Sequence, residues 1–454
     1  MRASFLHLPI FSNQPLLKRL FSMNKNSLHG TEDCCEQSSS RKRMHYGFVI
    51  VACCCLMMGV NIGLSFSCAG IFYGPVSSDI GVSVGTFGLY MSLMYIASSL
   101  MLPLAGRMVE RYSARLLFTG SSAVMGLCYL AMSFFTNVWE FYLSGIVMGL
   151  TLAFLLYLSF PTLVNRWFHT NVGLLIGVCS AASGIGGMIF NPIAANIITN
   201  WGWRSAYLVF AAILLLAVTP LLYIFLRDWP ADKGLRPYGE NTGAASAKDA
   251  SPAPSASGIE YEKAIRMPVF YSLFIFSFLM MGISTLNLFI PKYATSMAFS
   301  LEQASYVSSS VMMGVALGKL VLGYINDRNC RLGVLVTTAG GAAGLLIMIF
   351  GGEWLSALLT GAFFFGWAYA GVTVQTAMLT REVFGSKSYS RIYAIISIAL
   401  AAGGALASGG WGLLADATSY TVIFLTGALL LLLCAGIGLA ALVRRPDGVV
   451  AVRK

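Results

Sequence analysis

The chain carries little charge. Only 10% of its 454 residues are Asp, Glu, Lys or Arg, whereas 57% are hydrophobic, and its mean hydropathy is +0.75. A soluble protein of this length cannot bury so many apolar side chains, so the composition excludes a soluble globular fold. The net charge of +11 does not indicate nucleic-acid binding, because the basic residues lie between the apolar runs rather than in one patch.

Patterns of catalysis and cofactor binding are missing as well. The chain has no Gly-x-x-x-x-Gly-Lys-Ser/Thr run, which excludes a phosphate-cradling loop of that type. Its four histidines lie in predicted tails or loops and form no metal-ligand cluster. Most of its ten cysteines lie within apolar runs, where thiols pack as small apolar groups. We therefore expect a protein that is not an enzyme and that holds no cofactor or metal.

What the chain does have is twelve apolar runs. Each is long enough to cross a hydrocarbon core of about 30 Å, which needs about 20 residues. We predict spans at 47–72, 84–106, 116–136, 141–164, 173–198, 205–226, 269–291, 306–326, 332–350, 356–379, 392–413 and 420–442. Residues 227–268, rich in Ala, Ser and Pro at their centre, read as a flexible linker.

The distribution of basic residues predicts the orientation. If the N-terminus is cytoplasmic, 26 of the 29 Lys and Arg residues fall in cytoplasmic segments. Arg204 and Lys292 fall outside, and Lys319 falls within a span. Because cytoplasmic loops are enriched in Lys and Arg, we expect both termini to be cytoplasmic.

The two halves of the chain repeat each other. Leu-Met-Met-Gly at 56–59 recurs at 279–282, and Gly-x-x-x-Asp/Glu-Arg at 106–111 recurs at 323–328. Repeats at equivalent places indicate two bundles related by a parallel repeat. We therefore predict an all-α polytopic membrane protein with twelve transmembrane helices in two six-helix bundles. Its predicted domains are a tail 1–43, a bundle 44–226, the linker 227–268, a bundle 269–443 and a tail 444–454.

Lys319 is the one cation predicted to lie deep in a span. It precedes Asp327 by eight residues, which places it about 12 Å from the polar end of the helix at 1.5 Å per residue. A lysine stem does not snorkel that far. An ammonium at this depth costs about 2.5–3.5 kcal/mol on insertion scales, so it indicates a functional site.

The repeated loop resembles the signature loop of the major facilitator superfamily. Its two copies supply six candidate gating residues: Gly106, Glu110, Arg111, Gly323, Asp327 and Arg328. The glycine is expected to admit a neighbouring helix closely, and the acid to accept from backbone donors or basic groups of the adjacent bundle. Such a network can latch one side of a carrier shut and release it when the bundles rock. The alternative is an ordinary charged turn.

Short motifs within 69–83, 165–177, 289–300 and 416–420 resemble the monocarboxylate porter group of that superfamily, including its oxalate:formate antiporter-like members. The resemblance implies that Lys319, four residues before Gly323, binds the substrate carboxylate, here as a point charge without arginine's bidentate fork. Two departures stand out: Val315 replaces an acid of animal members, and span eleven has no cation. One positive charge neutralises one carboxylate, so we expect a monoanion.

Other polar or aromatic side chains within spans are candidates for lining a midplane cavity. They are Asn61, Tyr95, Tyr157, Asn287, Trp367, Tyr369 and Gln375. The alternative for each is an interhelical contact, which is common in membrane bundles and contributes about 0.6–2 kcal/mol.

These features lead us to expect a monomeric secondary carrier of small organic anions such as lactate, pyruvate or formate. It would exchange anions, or carry a proton with them if Lys319 gains its proton as the anion arrives. The rivals are a carrier of the same fold for a drug-like or neutral compound and a non-transporting membrane sensor. The sparse charge, compact loops and missing targeting signals favour a bacterial inner membrane.

Overall fold

The computed structural model describes residues 45–168, 170, 172–239, 258–385 and 388–445. In this part of the chain the secondary structure is helical, apart from two isolated bridges, Phe168–Tyr238 and Gly258–Gly385. Eleven helices are long and apolar enough to cross a membrane. The longest, Leu174–Phe225, holds two spans, because Gly202 has a φ of 80° and a ψ of 164° and interrupts the helix. The described residues therefore form twelve spanning helices.

We name these helices α1 to α12 in chain order. The first bundle contains α1 (Gly47–Ile80), α2 (Val84–Arg111), α3 (Ala114–Met132), α4 (Val138–Trp167), α5 (174–201) and α6 (203–225). The second contains α7 (Pro268–Leu288), α8 (Leu301–Arg328), α9 (Cys330–Phe350), α10 (Leu355–Phe384), α11 (Tyr389–Ala417) and α12 (Tyr420–Val443). A short helix, Ile290–Ser296, continues α7.

The predicted fold class is confirmed, and each predicted span overlaps an observed helix. The largest difference is at α1, which we expected to end at residue 72 but which continues to Ile80. It ends where Gly81 takes a φ of 76°, a left-handed conformation that glycine adopts without strain. The tail 1–43, the linker centre 240–257 and residues 446–454 lie outside the described residues. The domain boundaries stay a prediction.

The internal repeat extends to the ends of the helices. Both α2 and α8 are 28 residues long, and each begins after a serine that caps it. The Ser83 hydroxyl accepts from the amide of Thr86 at 3.1 Å, and the Ser300 hydroxyl accepts from the amide of Gln303 at 3.2 Å. Side-chain caps of this kind satisfy amides that a helix start leaves without partners.

Close packing at glycine brings helices of each bundle together. A Cβ on Gly186 of α5 would overlap the carbonyl of Gly59 of α1, and one on Gly403 of α11 would overlap the carbonyl of Phe278 of α7. Small residues allow such backbone approaches in membranes. Gly410 makes no such contact, because it lies on an exposed face of α11 and a Cβ there would meet no described atom within 4 Å.

Candidate functional site

The interface between the bundles has two ends, which we name by residues found there. The linker end is where α6 leads into residues 227–268, and the Lys292 end is where α7 leads into α8. The basic residues predict that the linker end is cytoplasmic.

At the Lys292 end, the bundles touch through their backbones. The amide of Gly85 on α2 donates to Oδ2 of Asp416 on α11 at 2.9 Å. A Cβ on Gly85 would lie 2.6 Å from the carbonyl carbon of Gly412, and one on Gly70 would lie 2.6 Å from the carbonyl oxygen of Leu288. Contacts this close leave no passage for a solute between these helices.

Hydrogen bonds continue this contact toward the middle of the interface. The hydroxyls of Ser92 on α2 and Ser408 on α11 lie 2.8 Å apart, and the amide of Gly409 donates to Ser92 Oγ at 3.0 Å. On the other side of the interface, Ser309 Oγ of α8 donates to the carbonyl of Met188 on α5 at 3.0 Å. The pairs α2–α11 and α5–α8 therefore hold the bundles together.

Lys319 lies on α8 and extends its ammonium to α5 of the opposite bundle. Its Nζ donates to the Ser180 carbonyl at 2.9 Å, to Ser180 Oγ at 3.1 Å and to Ser183 Oγ at 3.3 Å. The residue is half-buried, so it faces the other bundle rather than lying wholly against lipid. Among the described residues, no carboxylate forms an ion pair with this ammonium. The charge is therefore held by neutral oxygens.

The hydrogen bonds between described residues of the two bundles end at Lys319. Within the described residues, the bonds from Lys319 to Ser180 are the last hydrogen bonds between the bundles on the way to the linker end. Glu110 and Asp327 of the repeated loops are exposed. Neither forms an ion pair in the described part of the chain. The predicted latch is thus not engaged in this conformation.

The other gating candidates agree with an open linker end. A Cβ on Gly106 or Gly323 would meet no described atom within 4 Å, so the expected close approach of a neighbouring helix is absent here. Arg111 is exposed. Arg328 is exposed too, and its Cζ lies 4.2 Å from the centroid of the Tyr324 ring on its own helix. A role for these residues as a latch requires another conformation, in which the linker end closes.

One aromatic side chain, that of Trp367, lies beside the residue that precedes Lys319. Trp367 of α10 packs beside Gly318, the residue before Lys319: a Cβ on Gly318 would lie 3.4 Å from the Trp367 Cα. The Nε1 of Trp367 is buried and has no hydrogen-bond partner among the described residues. A buried donor without a partner is unfavourable in a membrane.

One tyrosine of the first bundle packs against the second. Tyr95 of α2 contacts α11, since a Cβ on Gly404 would lie 3.0 Å from the Tyr95 ring. Tyr157 of α4 and Tyr369 of α10 are half-buried. Tyr157 lies in a π-helical stretch, Ala153–Leu158, and such stretches are frequent at functional sites.

The structure thus places two of the predicted site residues, Lys319 and Tyr95, in contact with the opposite bundle. Trp367 packs against Gly318 within the second bundle, and Tyr157 and Tyr369 are half-buried.

Three other predicted site residues are buried. Asn61 is fully buried within the first bundle, where its Oδ1 accepts from Ser122 Oγ of α3 at 3.0 Å. Gln375 is fully buried in the second bundle, where its Oε1 accepts from Asn326 Nδ2 of α8 at 3.0 Å. Both contacts are interhelical, the alternative that the sequence left open. Asn287 is buried in the turn Thr285–Leu288, and its Oδ1 has no partner among the described residues.

Sequence reasoning missed two residues at the site, Ser180 and Ser183. The two serines are three apart on α5, a spacing that places them on one face of a helix. Serine is common in membrane helices, where its hydroxyl bonds to its own backbone, so the spacing alone carries no functional signal.

A second lysine lies at the closed end. Lys292 is in a cavity of about 220 Å³ between the bundles, lined also by Gly70, Gly74, Pro291 and Thr295. Its ammonium forms no ion pair with a described residue. It is separated from Lys319 by the contacts that close this end.

Comparison with known proteins identifies the family. A model of the Major Facilitator Superfamily matches residues 49–328 and 273–454. The chain belongs to the major facilitator superfamily. The two overlapping matches agree with the internal repeat. A comparison with a solved structure supports the predicted arrangement of the helices. The crystal structure of a bacterial homolog to the human lysosomal transporter Spinster, in an inward-facing and unoccupied conformation, has a TM-score of 0.69. It is 12% identical and covers 90% of this chain and 99% of that chain, which shows the fold alone.

Curated relatives in this superfamily are transporters by name. The chain is 26% identical over 204 residues to "Probable transporter MCH2" of Saccharomyces cerevisiae, covering 45% of this chain and 40% of that protein. It is 26% identical over 342 residues to "Monocarboxylate transporter 12" of Homo sapiens, covering 69% of this chain and 64% of that protein. The chain thus spans less than two thirds of the length of these two relatives.

Proposed function

We propose that this major facilitator is a secondary carrier of small monocarboxylate anions such as lactate, pyruvate or formate. The carboxylate binds Lys319 between the bundles, and the bundles then rock to expose the site to the other side of the membrane. The observation that carries the proposal is the ammonium of Lys319, which lies at the interface with neutral oxygens as its partners among the described residues.

Charge supports a monoanion. The Ser180 carbonyl and the two serine hydroxyls satisfy the Lys319 donors but leave its positive charge uncancelled. Attraction between opposite charges is strong away from water, so an entering anion gains more there than at an exposed lysine. A single cation neutralises a monocarboxylate and leaves a dicarboxylate with one uncompensated charge.

The neighbouring groups support a small acid. The unpartnered Trp367 indole beside Gly318 can donate to a second carboxylate oxygen. The tyrosines Tyr95, Tyr157 and Tyr369 would supply further hydroxyl groups and aromatic rings to such a substrate. These groups favour a short substrate with one carboxylate and few other polar atoms.

The direction of access and the coupling are also part of the proposal. The unengaged loops at Glu110 and Asp327 support entry from the linker end, which the basic residues predict to be cytoplasmic. Both termini would then be cytoplasmic, in a bacterial inner membrane. Because no described carboxylate pairs with Lys319, the proposed coupling is anion exchange or proton symport through Lys319 itself. We propose a monomer with no enzyme activity.

Uptake into proteoliposomes tests the proposal. Radiolabelled lactate, pyruvate and formate should enter vesicles that contain the wild type, and oxalate should enter more slowly. Lys319→Ala should reduce uptake to the level of empty vesicles, because the carboxylate loses its only proposed cation. Lys292→Gln is the matched control, since it removes a lysine of the interface outside the proposed site. Equal uptake by wild type and Lys319→Ala would refute the role of Lys319. Uptake of neutral compounds alone would favour a carrier of the same fold for a neutral compound. Binding of an anion without uptake would favour a non-transporting sensor.

A further inference from the structure

The oxygens that hold Lys319 all belong to one helix of the opposite bundle. Ser180 supplies its carbonyl and its hydroxyl, and Ser183 supplies its hydroxyl. The Ser183 hydroxyl in turn donates to the Ser180 carbonyl at 2.9 Å, which fixes its orientation toward Lys319. An ammonium has three N–H donors, so these three oxygens complete its set of partners.

These oxygens hold the places that a carboxylate would take. A carboxylate bound to Lys319 must accept from the same N–H groups that now point at α5. Ionised acceptors form shorter and stronger bonds to an ammonium than hydroxyls do. An arriving anion therefore displaces the hydroxyls, and the serines return when the anion leaves.

We propose that Ser180 and Ser183 are the resting ligands of Lys319, and that they set both its affinity for substrate and the ease with which the empty carrier changes conformation. This inference rests on the proposed function, because it assigns a role to the residues that compete with the carboxylate. Ser180 and Ser183 are positioning residues, since they act on the substrate through Lys319.

Two opposite effects follow from this role. Removing the hydroxyls leaves the ammonium of the empty carrier short of partners, so a carboxylate binds more tightly. The same loss makes the empty carrier harder to reorient, because an unsatisfied ammonium must then cross the closed interface. Exchange of one anion for another does not require the empty carrier to change conformation, so the exchange rate should not fall.

The test combines binding and flux. Ser180→Ala/Ser183→Ala should bind lactate about three- to tenfold more tightly than wild type, the factor expected from losing a competing hydrogen bond or two. Net lactate uptake should slow while lactate–lactate exchange stays near the wild-type rate. Ser180→Thr/Ser183→Thr, which keeps both hydroxyls, should restore wild-type behaviour. If the double alanine variant does not fold, Ser183→Ala alone should show the same changes at smaller size.

The matched control is Ser309→Ala. It removes a hydrogen bond between the same two helices, the one from Ser309 to the Met188 carbonyl, without touching Lys319. It should leave both the Kd and the ratio of net uptake to exchange unchanged. Unchanged or weaker binding in the alanine variants, with a wild-type flux ratio, would overturn the proposal, as would equal changes in Ser309→Ala. A wild type that binds no monocarboxylate would instead refute the proposed function, and this inference with it.

Discussion

The two ends of the bundle interface differ in how they are held. At the Lys292 end, backbone meets backbone: Gly85 lies against Gly412 and Asp416, and Gly70 lies against Leu288. At the linker end, the charged loops around Glu110 and Asp327 form no ion pair in the described part of the chain. Backbone contacts at glycine close the Lys292 end. At the linker end, Glu110 and Asp327 are charged but have no ion-pair partner among the described residues. Lys319 lies where the closed part meets the open part.

The difference shows that the two ends of the interface are held by unlike contacts in this conformation. A contact at glycine should be disrupted by a single added Cβ, whereas an interaction of a charged loop should be weakened by removal of its charge. The following predictions test each end separately.

The largest effect is expected at the glycine contact. A side chain at Gly412 cannot coexist with the closed Lys292 end, because its Cβ would lie 2.5 Å from the Cα of Gly85. Overpacking of this kind costs about 1–3 kcal/mol, so Gly412→Val should shift the population away from this closed end about 5- to 150-fold. Distances between spin labels on α2 and α11 at the Lys292 end should lengthen, and transport should fall.

Gly410→Val is the matched control for this prediction. Gly410 is on the same helix two residues earlier, and a Cβ there would meet no described atom within 4 Å. Its spin-label distances should match those of the wild type. Equal lengthening in both variants would mean that the contact at Gly412 does not close this end.

A smaller effect is expected at the hydrogen bond from Gly85 to Asp416. Asp416→Ala removes a charged acceptor from the amide of Gly85, 2.9 Å away. Hydrogen bonds to charged groups contribute about 1.5–3 kcal/mol when buried, and less at this exposed carboxylate. The closed Lys292 end should therefore be disfavoured several-fold, as measured by the same spin-label distances. Glu302→Gln is the control, because Glu302 accepts from Tyr306 on its own helix. An unchanged distance distribution in Asp416→Ala would count against this bond as a latch.

The smallest effect on stability is expected at the linker end. Asp327→Asn and Glu110→Gln remove charges that have no ion-pair partner among the described residues. Surface substitutions of this kind change the free energy of unfolding by about 0.5 kcal/mol or less, so thermal unfolding in detergent should be unchanged. The maximal transport rate should nonetheless fall if, as we propose, the loops close this end in the other conformation. A fall in unfolding temperature without a fall in rate would reverse this account.

The fold could be predicted from sequence because membrane crossing imposes a length and a polarity on every helix. The first predicted span ends at residue 72, whereas helix α1 ends eight residues later, at Ile80. The helix continues through Pro75 and stops before Gly81, which takes a left-handed conformation. The repeat of the loop motif located α2 and α8, and their serine caps, at equivalent places.

The site was harder to predict. Lys319 stood out because a charge in a span is rare. Asn61 and Gln375 are as polar as residues that line a cavity, but each forms its hydrogen bond to another helix of its own bundle. The rotation of α1 and α10 about their axes determines which way these side chains point, and the sequence does not reveal that rotation. Ser180 and Ser183 gave no signal, because their importance comes from a lysine more than 130 residues away, at separations of 139 and 136 positions. Helix periodicity does not reveal which residues of one bundle contact which residues of the other.

Equilibrium binding to purified protein tests the central claim most directly. Lactate should bind the wild type and Lys319→Arg, which keeps a positive charge at the interface. Lys319→Gln should bind it at least about tenfold more weakly, since it loses a charge-assisted bond of about 1.5–3 kcal/mol. Binding of equal strength to the wild type and Lys319→Gln would contradict the account.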